Sequence, residues 1–178
     1  MIKLIRIAIV LLGIYGSSSF AADAHVLIEP TFGYQSISRT YPTAFAEGLI
    51  TYGIRVVVGT PRLAGELELQ YGSANATISS LNETTNTILV QGRLGPRTVV
   101  PLSEEFQLIF RGGLQIFRFS DDITNSTSTT WYTESVSYEP YIGAGVNFFL
   151  FRSLSLSVEE VYVLNTSFET GLGFRLFI

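Results

Sequence analysis

The C-terminal stretch 168–178 alternates between two kinds of side chain at every second position. One face is mostly large and apolar, and the other holds glycine and opposite charges: Phe168, Thr170, Leu172, Phe174, Leu176 and Ile178 against Glu169, Gly171, Gly173, Arg175 and Phe177. A period of two predicts a β-strand, because successive side chains of an extended chain point to opposite faces. This sorting restricts the possible folds more than any other feature of the sequence.

The same two-faced pattern recurs seven more times, so the sequence predicts eight strands. They cover 26–37, 49–58, 64–74, 86–95, 105–119, 135–149, 154–163 and 168–178. The connections are predicted to be short turns at 59–62, 96–103 and 150–153, and longer polar loops at 38–47, 75–85 and 120–135. Strands of about ten residues are long enough to cross a bilayer when they are tilted.

Composition favours β-structure in a membrane over a soluble domain. Charged residues make up only 15% of the chain and aromatic residues 13%, whereas about a quarter of a soluble domain is usually charged. The chain has no cysteine, which excludes disulfides and cysteine metal sites. The net charge of −4 becomes −6 if 1–21, with Lys3 and Arg6, is removed. We therefore expect no nucleic-acid partner.

The N-terminal segment 1–21 has the organisation of a secretory signal peptide. A basic start precedes a short apolar run, and small residues at Ser19 and Ala21 occupy the −3 and −1 positions of a cleavage site. The apolar run is too short for a membrane anchor. We predict cleavage after Ala21, with Ala24 as the second choice, and a single mature domain over 22–178.

The volume of the apolar side chains and the position of the aromatic residues both predict that the apolar faces lie on the outside of a closed barrel. Together these faces hold more than thirty large side chains, which would overfill an eight-stranded barrel whose apolar face lined the interior, as in a soluble ligand carrier. If the N terminus starts in the periplasm, six aromatic residues fall at the outer end of the apolar face: Tyr34, Tyr52, Tyr71, Tyr138, Tyr162 and Phe168. Such a ring at headgroup level is typical of membrane barrels.

By the same parity, ten charged residues face the interior. They are Glu29, Arg55, Glu66, Glu68, Arg93, Arg111, Glu139, Glu159, Glu169 and Arg175. Buried charges need partners, and a planar guanidinium binds carboxylates in two places at once. We therefore predict an Arg–Glu network that fills the lumen, with an ion pathway through a small pore as the alternative.

Three residues do not fit the alternation. Phe117 and Phe119 fall on the polar face of the fifth predicted strand, and Glu160 falls on the apolar face of the seventh, where we expect it to lie near a strand end.

No motif in the sequence indicates catalysis, a cofactor or a metal. His25 is the only histidine and lies beside the predicted cleavage site, where a solvated chain start is the favoured interpretation. Glu66 and Glu68 share a face, as an acid–base pair would, but a place in the lumen network is favoured.

The loop 121–134 is the longest predicted connection, and it carries two aromatic residues. Trp131 and Tyr132 are candidates for contact with a partner or with lipopolysaccharide headgroups, and a packing anchor within the loop is the alternative.

Four segments carry a resemblance to a known family: the N-terminal leader, 139–146, 154–159 and 171–176. In these segments the sequence resembles the small outer-membrane β-barrel family, which includes the opacity-protein-like and OmpA-like transmembrane barrels. The resemblance implies an all-β, eight-stranded, antiparallel up-and-down transmembrane β-barrel in the outer membrane of a Gram-negative bacterium, inserted by the barrel-assembly machinery.

These features predict a non-enzymatic, structural and surface-displaying protein whose external loops serve adhesion or other surface interaction. A lipid A-modifying enzyme on the same scaffold, and a small pore, are the alternatives. The expected partners are outer-membrane lipid and lipopolysaccharide, the barrel-assembly machinery during insertion, and a surface or host partner at the loops. We expect a monomer.

Overall fold

The structure, a computed structural model, describes residues 25–37, 48–60, 62–78, 82–151, 154–164 and 167–176, with the backbone alone at 37, 78, 167–168 and 174–176. The predicted signal peptide, its cleavage site and the predicted loop 38–47 lie outside the described residues. No helix in the described ranges is long and apolar enough to cross a membrane.

The described residues form one antiparallel sheet that closes on itself. Its strands are β1 His25–Ile37, β2 Gly48–Gly59, β3 Leu63–Ile78, β4 Glu83–Pro101, β5 Phe106–Thr124, β6 Thr129–Thr133, β7 Ser137–Phe151, β8 Leu154–Val163 and β9 Ser167–Leu176. Pairing of β1 with β9 and of β4 with β5 completes a ring of eight strands, and β6 pairs with β5 alone. The predicted eight-stranded antiparallel up-and-down barrel is confirmed.

The strand register winds around the barrel. Following directly paired residues once around the ring, from His25 through Gly59, Arg111 and Glu169, returns to β1 at Gln35, which is ten residues further along the strand. Such an offset fixes the tilt and radius of a closed barrel. From one strand to the next around the ring, directly paired residues therefore lie progressively higher along the barrel axis. Residues that are joined by register do not all lie at one height.

Two predicted outer loops are mostly strand, which corrects the predictions for 75–85 and 121–134. β3 runs to Ile78 and β4 starts at Glu83, while β5 continues to Thr124 and β6 begins at Thr129. Both stretches are rich in threonine, whose branched side chain suits a strand. The long β4–β5 pairing extends them into a sheet that rises beyond the end of the other strands.

The predicted turn 96–103 is also shorter, because β4 continues to Pro101 and the chain turns at 102–105. Pro96 lies within β4. Proline lacks a backbone N–H donor and is tolerated in a strand where the hydrogen-bond ladder is interrupted. The register pairs between β4 and β5 stop at Leu94 and resume at Arg97. At this interruption Gly95 lies so close to the backbone of Gly112 and Gly113 that a Cβ atom would collide with it.

Side chains are sorted across the barrel wall in the reverse of a soluble protein. On β2, Ile54 is 46% exposed while the adjacent Arg55 is only 4% exposed. The same alternation of exposed apolar and buried polar side chains continues on β1, β3 and β8. The hydrocarbon surface of this barrel therefore faces outward and its charges face the lumen.

Candidate functional site

Arg55 lies at the centre of a charged cluster in the lumen. Its Nη1 donates to Glu159 Oε1 at 2.7 Å and to Glu29 Oε2 at 3.2 Å, and its Nη2 donates to Glu68 Oε1 at 3.0 Å. These carboxylates come from β8, β1 and β3. One guanidinium thus joins four strands through charge-assisted hydrogen bonds, which are stronger than neutral ones.

Arg111 on β5 is the second centre. Its Nη1 donates to Glu159 Oε2 at 2.9 Å and its Nη2 to Glu68 Oε2 at 2.5 Å, while its Nε lies 2.7 Å from Glu66 Oε1. The hydroxyl of Tyr141 donates to the same Glu66 oxygen at 2.8 Å. The guanidinium also lies 5.4 Å from the Tyr141 ring centroid, within the range of a cation–π contact.

The upper part of the network is centred on Glu169. Its Oε1 accepts from Gln70 at 3.0 Å and from Thr51 at 3.1 Å, and its Oε2 forms a short ion pair with Arg93 Nη2. Arg93 also donates from Nε to Gln115 at 2.7 Å. In this part of the network, neutral amides and a hydroxyl therefore provide hydrogen bonds that charged groups provide around Arg55 and Arg111.

Sequence reasoning missed two buried charged residues because it ended their strands too early. Arg97, placed in a predicted turn, is 1% exposed and donates to Glu29 at 3.0 Å. Asp121, placed in a predicted loop, is buried and accepts from the Thr87 hydroxyl at 2.7 Å. Both keep the inward parity of their strands, so continuing the alternation past the predicted ends would have found them.

Glu139, and His25 as the only histidine, stand apart from this cluster. Glu139 is not joined by an ion pair to any arginine whose side chain is described, which corrects its place in the network. It pairs in register with Gln115, and the rising register lifts it above the ion pairs. The side chain of Arg175 is outside the described atoms, although its backbone pairs with Ser155. His25 is exposed at the start of β1.

The network fills the middle of the lumen. It comprises four arginines and five glutamates, all nearly inaccessible to solvent: Arg55, Arg93, Arg97, Arg111, Glu29, Glu66, Glu68, Glu159 and Glu169. Removing one partner from such a cluster leaves an unpaired buried charge and costs about 3–5 kcal/mol.

An apolar layer covers the network on the side of the long β4–β5 extension. Leu49, Leu89, Phe117 and Phe119 form one buried cluster, and the two phenylalanine rings meet edge to face at 5.7 Å. The two phenylalanines that interrupted the sequence alternation are therefore inward-facing lumen residues. An ion moving through the lumen would meet this layer as well as the ion pairs.

Five of the six predicted ring aromatics have described side chains, and all five lie on the outward face: Tyr34, Tyr52, Tyr71, Tyr138 and Tyr162. Tyr52 and Tyr71 are direct cross-strand neighbours with ring centroids 5.3 Å apart. The backbone of Phe168 pairs with Tyr162, and its side chain is outside the described atoms.

The β5–β6 hairpin projects beyond the barrel. Its turn is closed by Asn125, whose Oδ1 accepts from the backbone N–H groups of Thr127 at 3.0 Å and Ser128 at 2.8 Å. Trp131 is 72% exposed and Tyr132 39% exposed, and both lie in strand β6.

Trp131 also belongs to a row that crosses four strands. Direct pairs join Asn75 to Asn86, Asn86 to Asp122, and Asp122 to Trp131. Directly paired side chains lie on the same face, and the neighbouring Asp121 points into the lumen. The row therefore lies on the outward face of the projecting sheet.

Comparison with known proteins finds similarity at the level of structure. No protein-family model and no curated protein matches the sequence. Neisserial surface protein A superposes with a TM-score of 0.63 at 11% identity, covering 87% of this chain and 99% of that one. The attachment invasion locus protein Ail of Yersinia pestis gives 0.60 at 10% identity, covering 86% and 98%. The outer membrane protein OprG of Pseudomonas aeruginosa gives 0.55 at 10% identity, covering 86% and 94%.

These neighbours match this chain in fold across nearly their whole length. At such low identity the likeness is one of fold. The outer-membrane location expected from the sequence agrees with the neighbours and with the outward apolar face.

Proposed function

We propose that this chain, which has the fold of the small outer-membrane β-barrels, is a non-enzymatic protein whose filled barrel holds a rigid hairpin outside the cell for surface contact. The observation that carries this proposal is the β5–β6 hairpin, which rises beyond the barrel and presents Trp131 with 72% of its surface exposed. A tryptophan that a monomer leaves so exposed is the kind of side chain that dominates binding interfaces.

A structural barrel accounts for the lumen better than a pore does. Arg55 forms ion pairs with four carboxylates and Arg111 with three, and a layer of apolar side chains covers them. An eight-stranded barrel has room for little more than its own inward side chains. Planar-bilayer recording of the refolded protein is expected to show no stable conductance. A steady open channel would favour the small-pore alternative.

The absence of a catalytic role is supported by the position of His25. The histidine pairs with Gly59 at the end of the barrel opposite to the hairpin, whereas an enzyme that modifies lipid A needs its reactive group near the outer rim. Lipid A mass spectra from cells overexpressing the protein are expected to match those of cells without it. A new lipid A species would favour the enzyme.

The chemistry of the projecting sheet indicates the kind of contact it makes. Its outward row offers the amides of Asn75 and Asn86, the carboxylate of Asp122 and the indole of Trp131. Residues 119–136 contain no lysine or arginine. Ail was crystallised with the heparin analogue sucrose octasulfate, but this hairpin lacks the cations that a sulfated ligand requires. A hydrogen-bonding, weakly charged partner fits it better.

Whole-cell adhesion to host cells and matrix proteins tests the proposal. Trp131→Ala is expected to reduce adhesion several-fold, because the aromatic anchor of the contact is removed. Leu102→Ala is the matched control, since Leu102 is an exposed apolar residue in the turn at the opposite end of the barrel. Equal adhesion of the two variants would overturn hairpin-mediated contact, provided that both migrate as folded barrels on unheated gels.

We further propose that the protein is inserted as a monomer by the barrel-assembly machinery and that lipopolysaccharide surrounds its outer end. The outward-facing side chains of Tyr34, Tyr52 and Tyr138 support a position of this end of the barrel at the level of the lipid headgroups.

A further inference from the structure

Glu160 is an acidic side chain on the outward apolar face of the barrel. It lies within β8, not at its end, and it is exposed. Its register row contains Phe110, Ala144 and Thr170 on the same face. Among the described side chains, no other charged residue faces outward between the aromatic ring and the opposite end of the strands. An ionisable group in contact with lipid is unfavourable and usually marks a functional site.

The hydrogen bonding of Glu160 is incomplete in a way that points to a ligand. Thr170 Oγ1 lies 3.0 Å from both Oε1 and Oε2 of the carboxylate. A hydroxyl has one proton to donate, whereas a carboxylate can accept several hydrogen bonds. At least one carboxylate oxygen therefore remains available to a further donor from the lipid side.

A groove adjoins this polar pair. Its volume is about 430 Å³, and its lining includes Phe110, Ile142, Ala144, Glu160 and Tyr162. The groove forms because small Ala144 lies in register between larger neighbours. A largely apolar groove with one exposed carboxylate in its wall fits a hydrocarbon chain that carries one hydrogen-bonding substituent.

The depth of Glu160 restricts what that substituent can be. Tyr162, a member of the aromatic ring, lies two residues further along the same strand and on the same face. With a rise of about 3.3 Å per residue and a tilt of roughly 40°, Glu160 lies about 5 Å below headgroup level. Glycerophospholipid acyl chains carry no hydrogen-bonding group below the ester at that depth.

We infer that this groove binds a hydroxylated acyl chain of the lipid A type, with the chain hydroxyl hydrogen-bonded to Glu160 and Thr170. The hydroxyl of a 3-hydroxyacyl chain lies a few bonds below the sugar, which is the depth that the carboxylate occupies. A second copy of this chain fits less well, because a twofold contact at this face would bring two Glu160 carboxylates together at one depth. The inference rests on the outer-membrane part of the proposed function and is independent of the hairpin.

Native mass spectrometry of the protein in nanodiscs tests the inference. The probes are lipid A with 3-hydroxyacyl chains, a synthetic lipid A with the corresponding deoxy chains, and phosphatidylethanolamine. The wild-type protein is expected to retain the hydroxylated lipid about tenfold better than the deoxy form, which corresponds to one hydrogen bond to a charged group. Glu160→Leu and Thr170→Val should reduce or abolish that preference, and Glu160→Gln should keep part of it.

Val158→Ala is the matched control, because Val158 lies two residues from Glu160 on the same outward face; it should leave the preference unchanged. Equal retention of the hydroxylated and deoxy lipids by the wild-type protein would overturn the inference. So would a dimer that Glu160→Leu dissociates, which would assign the groove to a second copy. If Glu160→Leu does not fold, Thr170→Val and Glu160→Gln decide. Loss of the lipid preference with adhesion unchanged would leave the proposed function intact.

Discussion

Arg55 Nη1 lies 2.7 Å from Glu159 Oε1 although the two residues are 104 positions apart in the sequence. Arg55 is on β2 and Glu159 on β8, so the ion pair crosses the lumen and does not follow the sheet. The stability of the barrel therefore depends on contacts between strands that are not neighbours.

Arg55→Met tests this dependence. The variant leaves the carboxylates of Glu29, Glu68 and Glu159 without their shared guanidinium, and the free energy of unfolding is expected to fall by about 3–5 kcal/mol. Urea unfolding in detergent micelles measures the change. Arg118→Met is the control, since Arg118 is exposed on the outward face and its loss should cost less than about 0.5 kcal/mol.

The apolar layer above the network is open to a similar test. Phe117→Ala removes a ring from the buried cluster with Leu49 and Phe119, and a cavity of that size should destabilise the barrel by about 3–5 kcal/mol. The control Ile116→Ala removes an adjacent side chain that is 41% exposed to the lipid side. A loss for Ile116→Ala as large as that for Phe117→Ala would contradict an enclosed layer.

Asp121 should fix the base of the hairpin. Asp121→Ala leaves the buried hydroxyl of Thr87 without its acceptor, at a cost of about 1–3 kcal/mol. We expect faster protease cleavage in the hairpin on whole cells. Asp122→Ala, on the outward face of the next position, should not change the cleavage rate, and equal acceleration by both variants would argue against this role for Asp121.

The close approach of β4 and β5 requires glycine at position 95. A Cβ atom on Gly95 would lie 2.8 Å from the Gly112 carbonyl carbon and 2.9 Å from Gly113 Cα, both of which are backbone atoms. Gly95→Ala should therefore slow refolding and reduce the folded fraction on heat-modifiability gels. In Gly92→Ala the new atom would approach Leu69 Cδ2 at 3.4 Å, an ordinary contact, and this variant should fold as the wild type does.

The barrel, and which face of each strand is apolar, could be predicted from the sequence because the alternation of side chains along a strand is a local property. Eight of the ten predicted lumen charges have described, buried side chains in the network. The alternation predicts Phe174 and Arg175 on opposite faces, and their side chains lie outside the described atoms. On the same strand, Leu172 is exposed and Gly173 is buried. This alternation agrees with the predicted faces of the strand.

The ends of the strands could not be predicted in the same way. Threonine and asparagine are compatible with either a loop or a strand, and the choice at 121–124 depends on pairing with β4, a distant segment. Arg97 and Asp121 were missed for this reason. Glu139 has the predicted inward parity but forms no ion pair with a described arginine, because parity gives the face of a residue and not its height, which depends on the offset of the whole ring.

The crossing ion pairs also have a consequence for how the molecule forms. In a sheet that has not yet closed, β8 and β2 lie at distant positions, and Arg55 has no access to Glu159. The Arg55–Glu68 pair joins neighbouring strands and can form in an open sheet, but the Arg55–Glu159 pair forms only when β9 joins β1. The ion pairs that cross the lumen and the closure of the barrel wall are therefore completed in the same step, and a partly assembled sheet lacks the stabilisation that these crossing pairs provide.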